Sequence, residues 1–155
     1  MSSEIITFLL GATPVGEARV AIPWGMTFGG LLPAEAFFWG VLGNICAIVA
    51  ITFLLKPIAD FARKNSKILD HFFIKLFKKT RKEHSKRFER FEELLIILLV
   101  AIPLPGSGGY TGVLVAWLFG IRKRISIMLI SLGVVISGLV TLGLTTGAIT
   151  LAKLF

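Results

Sequence analysis

The sequence predicts an all-α integral membrane protein organised as an inverted repeat. Each half is a re-entrant helical hairpin followed by a transmembrane helix, and a basic amphipathic interfacial helix lies between the halves. Composition points first to the membrane: 55% of the 155 residues are hydrophobic, 17% are charged, and the mean hydropathy is +0.84. A soluble domain carries about 25% charge. The placement of charge decides the class. Glu93 and Arg122 enclose 28 residues without Asp, Glu, Lys or Arg, Arg124 and Lys153 enclose 28 more, and Glu35 and Lys56 enclose 20. About 20 helical residues cross a hydrocarbon layer of about 30 Å. A soluble enzyme and a DNA-binding domain are thereby excluded.

The chain reads as a single membrane domain, 1–155. The first repeat, 4–55, opens with an interrupted segment, 5–30. It holds Thr13-Pro14-Val15-Gly16, then Glu17 and Arg19, then Pro23. The N-terminus has no basic side chain before its apolar run, so this segment is expected to be retained rather than cleaved as a signal peptide. The span 34–55 follows, continuous and free of internal proline. Its glycines, Gly40 and Gly43, suit close helix packing in lipid. Residues 56–93 carry 12 of the 17 basic and 6 of the 9 acidic residues. Ile58, Phe61, Ile68, Leu69, Phe72, Phe73, Leu76 and Phe77 recur among those lysines and arginines near helical spacing. Such a helix lies in the headgroup plane, on the cytoplasmic side where anionic lipid collects; the rival is packing on a partner subunit. Nucleic acid is not an expected partner.

The second repeat, 94–152, has the same order. Segment 94–121 is broken in its middle by Pro103-Leu104-Pro105-Gly106-Ser107-Gly108-Gly109, a run that no single helix continues through. The arms left, 94–102 and 110–121, reach about 13 and 18 Å at a helical rise. Each covers about half the bilayer. The span 125–152 follows, with Gly133, Gly138, Gly143 and Gly147. Two courses fit 94–121: a broken crossing helix, or a hairpin that turns at mid-depth and leaves where it entered. Basic residues favour the cytoplasmic face, and basic clusters flank this segment on both sides, 56–93 before it and Arg122-Lys123-Arg124 after it. The hairpin is therefore preferred. It keeps both clusters cytoplasmic and both termini outside, in what is expected to be a prokaryotic plasma membrane.

A hairpin returns the chain to its starting face, whereas a span carries it across. The second unit must then begin on the face opposite the first, which makes the repeat inverted. Residues 9–16 (LLGATPVG) lie over 98–105 (LLVAIPLP) with Pro14 on Pro103 and Gly16 on Pro105. Paired broken segments in inverted halves are a recurring plan of secondary transporters, with substrate bound where the breaks meet.

The expected binding residues follow from that plan. Glu17 is a carboxyl at a helix break in lipid, expensive to keep there and suited to proton exchange. Arg19 stays charged and can pair with Glu17 or hold an anion. At i and i+2 the two share no helical face, so pairing needs irregular backbone. The alternative is a pair that only pins one hairpin against its partner. In Pro103, Pro105, Gly106, Ser107, Gly108, Gly109, Tyr110 and Thr111, a half-helix starting near Gly109 would aim free amides and its positive end into mid-membrane, an anion or water site; otherwise the small residues only allow two tips to pack closely. Pro14 and Gly16 shape the opposite tip. Asn44 either lines the cavity or bonds a neighbouring helix. Glu35, just after Pro33, reads as a helix-terminal carboxylate. Cys46 is alone, His71 and His84 form no metal motif, and no GxxxxGK[ST] or nucleophile–base set occurs. No catalytic residue, metal or cofactor is expected.

Two stretches carry a resemblance: Pro14-Val-Gly-Glu17-Ala-Arg19-Val-Ala-Ile22-Pro23, and Ile102-Pro-Leu-Pro-Gly-Ser-Gly-Gly-Tyr-Thr-Gly112 with Ala116-Trp-Leu-Phe-Gly120 after it. Together they resemble the small multidrug export protein family, itself distantly similar to the DedA/VTT superfamily of lipid translocases and scramblases. The resemblance implies a pair of re-entrant hairpins with Glu17 and Arg19 on the first. It departs from DedA proteins, which are similar in having charges on both hairpins; here the second tip is neutral. The implied function is proton-linked export or flipping of a small amphiphilic compound by a homodimer or larger assembly among membrane lipids. The alternatives are translocation of lipid phosphates and a non-transporting scaffold.

Overall fold

A computed structural model describes residues 2–65, 86–102, 108–152 and 154. All regular structure among them is helical: α1 (Ser3–Gly11), α2 (Glu17–Thr27), α3 (Pro33–Asn65), α4 (Lys86–Ala101), α5 (Gly109–Phe119) and α6 (Lys123–Ala152). The order short, short, long occurs twice. The long helices contain the apolar stretches Pro33–Phe61 and Lys123–Ala152, each long enough to cross a membrane.

Local chemistry accounts for the breaks. At the first, Thr13 closes the turn with its own hydroxyl, donating to the Leu10 carbonyl at 2.7 Å and accepting from the Gly16 amide at 3.0 Å. Gly16 lies against Leu10 and Gly25 against Thr7, so α2 returns along α1. Pro23, expected as a further interruption, sits inside α2 instead. It withholds one amide from the Arg19 carbonyl, and a single lost bond does not end the helix. The turn between α5 and α6 uses Gly120 at φ 73°, where the Gly120 and Ile121 amides bond back to Trp117 and Ala116. That left-handed C-terminal stop favours glycine.

Helix α3 starts on Pro33, and the Glu35 carboxylate accepts the Leu32 amide at 2.9 Å, the terminal role expected of it. It then runs ten residues past the expected end at 55, through Lys56 and Pro57. Helix α4 likewise begins at Lys86 rather than 94. The two helices thus take both ends of the basic segment. Its middle, including the expected amphipathic stretch from Ile68 to Phe77 and both histidines, lies outside the described residues.

The long helices run antiparallel. Gly138 of α6 meets Val41 and Phe37 of α3, while Lys123 Nζ sits 4.9 Å from the centre of the Phe53 ring. The latter contact brings Lys56 and the Arg122–Arg124 cluster to one end of the bundle. Each half packs its two short helices against its own long one, and each second arm also touches the other half's: α2 meets α6, and α5 meets α3. Between them lies a core of Ala18, Ile22, Val41, Ile48, Ile96, Val100, Val113, Ala116, Ile130 and Val134. Leu98, Leu114, Met128, Leu144 and other large apolar side chains face outward, as a lipid-facing surface allows.

Small residues set the spacing. A Cβ on Gly11 would strike the Gly40 carbonyl, and one on Gly43 the Phe8 carbonyl, so α1 and α3 meet backbone to backbone. Gly133 instead makes room for the Val100 side chain of α4. Gly143 and Gly147 have nothing within 4 Å. Of the glycines expected to mediate packing, these two face away from the described residues.

Candidate functional site

The break in the first half meets the N-terminus of α5 at mid-height. Asn44 is at the middle of the apolar run 34–55, and its Oδ1 would lie 3.2 Å from a Cβ on Gly109. Ile48, one turn further along α3, packs on the same glycine.

Glu17 is the first residue of α2 and has φ 46°. For a non-glycine residue that left-handed conformation costs about 1–2 kcal/mol. It is also the irregular backbone that an i, i+2 pair requires. The Glu17 carboxylate accepts the amides of Gly109 and Tyr110 and lies 3.9 Å from Arg19 Nε. Gly108 passes so close that a Cβ there would collide with the carboxylate. At 8% exposure, a lone carboxylate would be costly; here two amides, the positive end of α5 and Arg19 offset the burial.

Arg19 serves the other side of the same break. Its Nη2 donates toward the carbonyls of Val100 and Ile102, at 3.5 and 3.4 Å. These acceptors, the first part-buried and the second exposed, belong to the C-terminal, negative end of α4. The acid therefore caps the helix that begins after the second break, and the base caps the one that ends before it. Tyr110 returns the favour: its hydroxyl donates to the Ala12 carbonyl, at the C-terminus of α1, at 2.6 Å. The neutrality of the second tip now has a physical reason, because both of its helix ends take their charges from the first hairpin.

Among the expected site residues, Glu17, Arg19, Asn44, Gly108, Gly109 and Tyr110 converge here. Thr111 follows in the first turn of α5. Pro14 and Gly16 belong to the turn that Thr13 closes, and Gly16 contacts Leu10 and Thr13 rather than the facing break. Pro103, Pro105, Gly106 and Ser107 lie outside the described residues. Sequence reasoning missed Ala12, Val100 and Ile102, which take part only through carbonyl oxygens. Thr13 enters the sequence reading only as part of the break; that its hydroxyl closes the turn is signalled by its place just before a proline.

Two buried groups stand out. Asn44 is 2% exposed, and its Oδ1 has no hydrogen-bond partner among the described residues; Ser137 Oγ on α6 is in the same position. Asn44 therefore does not use that oxygen to tie α3 to a described neighbour. Among the described residues no three His, Cys, Asp or Glu side chains are grouped to hold a metal ion.

The family model described as "Putative small multi-drug export protein" matches residues 17–140. The chain belongs to this family. The match starts at Glu17 and takes in Arg19, Asn44 and the whole second break. Membership and the two long apolar helices point to a membrane transporter rather than an enzyme. No curated protein and no solved structure matches the chain, and the wider resemblance to DedA/VTT proteins gains no support from these comparisons.

Proposed function

We propose that this small multi-drug export family member is a proton-linked exporter or flippase of a small amphiphilic compound, and that Glu17 is its proton-exchanging group. The observation carrying this reading is the reciprocal capping at mid-height. The Glu17 carboxylate holds the start of α5, and Arg19 holds the end of α4. Protonation of Glu17 weakens its hold on the Gly109 and Tyr110 amides, because the charge-assisted part of those bonds is lost. The two broken helices are then free to part, and a substrate headgroup takes the place of Glu17 at the α5 amides. Proton uptake and substrate access are coupled through one carboxyl.

A re-entrant course for 94–121 agrees with the antiparallel long helices and with Lys123 over Phe53, since both basic clusters then lie in the cytoplasm, and one for 5–30 agrees with the return of α2 along α1, where Gly25 lies against Thr7. Two full spans enclose no pathway alone, so the working unit is a homodimer or larger assembly. The test is flux in proteoliposomes under an imposed proton gradient. Glu17→Gln should abolish coupled flux while the purified protein stays folded. Full flux with full coupling in that variant would defeat the reading.

A second reading has the same geometry behind it: a non-transporting scaffold in which Glu17 and Arg19 only cap. It predicts loss of assembly in Arg19→Ala and no substrate flux in the wild type. Lipid-phosphate translocation is the remaining transport alternative, and a scrambling assay on the same vesicles separates it from export.

A further inference from the structure

We infer that the amphiphile taken by this site carries a carboxylate headgroup, which binds at the N-terminus of α5 in the place that Glu17 occupies. The inference rests on the export reading and names its ligand.

The donors come first. The amides of Gly109 and Tyr110 already hold a carboxylate, Arg19 Nε is 3.9 Å from that carboxylate, and α5 adds the positive end of an 11-residue helix. This set suits an oxyanion. A lipophilic cation approaching Glu17 would meet both Arg19 and the positive helix end, which oppose it. The charge of the site thus selects the sign of its ligand.

Asn44 is the independent observation, from a third helix. It is 2% exposed, its Oδ1 has no partner among the described residues, and it abuts Gly109. A buried polar group without a partner is destabilising. The two ends of a carboxamide are nearly alike in shape, so the side chain can turn its NH2 toward an oxyanion arriving beside Gly109. Turned this way, Asn44 donates to the ligand instead of leaving its Oδ1 against Gly109 without a donor.

Space narrows the class further. Gly108 lies against the Glu17 carboxylate too closely to admit one methyl group. The cradle is fitted to a planar group of three heavy atoms, whereas a tetrahedral phosphate is bulkier. A ligand carboxylate replaces the carboxylate of Glu17 like for like. Glu17 acts as a built-in competitor and lowers apparent affinity by the fraction of time it fills the site.

The test is equilibrium binding to the full-length protein in nanodiscs of neutral phosphatidylcholine, with empty nanodiscs as the reference. Decanoate, decyl phosphate and decyltrimethylammonium share a chain length and differ at the headgroup. The wild type should bind decanoate saturably and in preference to the other two. Glu17→Ala should raise decanoate affinity about tenfold by removing the competitor, and Asn44→Leu should lower it by a similar factor. Tighter binding of decyl phosphate or decyltrimethylammonium would overturn the assignment, as would absence of saturable decanoate binding. The wild-type comparison needs no variant to fold. Binding and coupling fail separately: decanoate binding alongside coupled flux in Glu17→Gln defeats only proton linkage, while loss of coupling without decanoate binding defeats only the headgroup.

Discussion

Glu17 is costly twice over, as a charge held out of water and as a non-glycine residue at φ 46°. Such a residue persists only where its surroundings over-determine it, and strain of this kind gathers at working sites. Arg19 is what makes the charge tolerable. Arg19→Ala is expected to destabilise the protein by about 2 kcal/mol or more, because it leaves a buried carboxylate and the α4 carbonyls poorly satisfied. Thermal unfolding of the purified protein measures this. Adding Glu17→Gln to Arg19→Ala should recover part of the loss, and a double-mutant cycle reads their coupling. Tyr110→Phe removes one hydroxyl donor from Ala12 and should cost about 1 kcal/mol in the same assay. A fall no larger with Arg19→Ala than with Tyr110→Phe would mean the ion pair adds little.

At the scale of the elements, close backbone contact between α1 and α3 is the sensitive joint. Gly43→Val would force a side chain into the Phe8 carbonyl, and overpacking of this kind costs about 1–3 kcal/mol. Gly147→Val meets open space and should leave the melting temperature of the protomer unchanged; a shift in its oligomeric state by light scattering would place a subunit contact there. Much of this layer was legible in the sequence. Charge-free runs revealed the two long helices, since lipid tolerates few charges in a span. The Pro/Gly clusters marked both breaks. Glu17 and Arg19 stood out as ionisable groups in apolar sequence. The reciprocal caps were not legible, because Val100, Ile102 and Ala12 contribute carbonyl oxygens that every residue owns. The true ends of α3 and α4 were hidden for another reason: Lys56, Pro57 and the polar 86–93 stretch suggest helix ends, yet a proline removes only one bond and polar residues are ordinary helix formers.

For the molecule as a whole, the contact of Lys123 with Phe53 makes sidedness testable. A cysteine introduced at Arg122 should react with a membrane-impermeant maleimide only from the side that labels one introduced at Lys56. Labelling from opposite sides would contradict a hairpin course for the segment between them. The coupling of the halves is also a whole-molecule property, since α2 packs on α6 and α5 on α3.

The mutual capping has a practical corollary for how the polypeptide can be divided. A gene cut between codons 65 and 86 would yield two fragments, each with two short helices and one long one, and each with helix termini that its counterpart caps. Expressed singly, either fragment should be cleared by membrane proteolysis; expressed together, they should rescue one another and co-purify. Complementation of this kind would then vanish with Arg19→Ala in the first fragment alone.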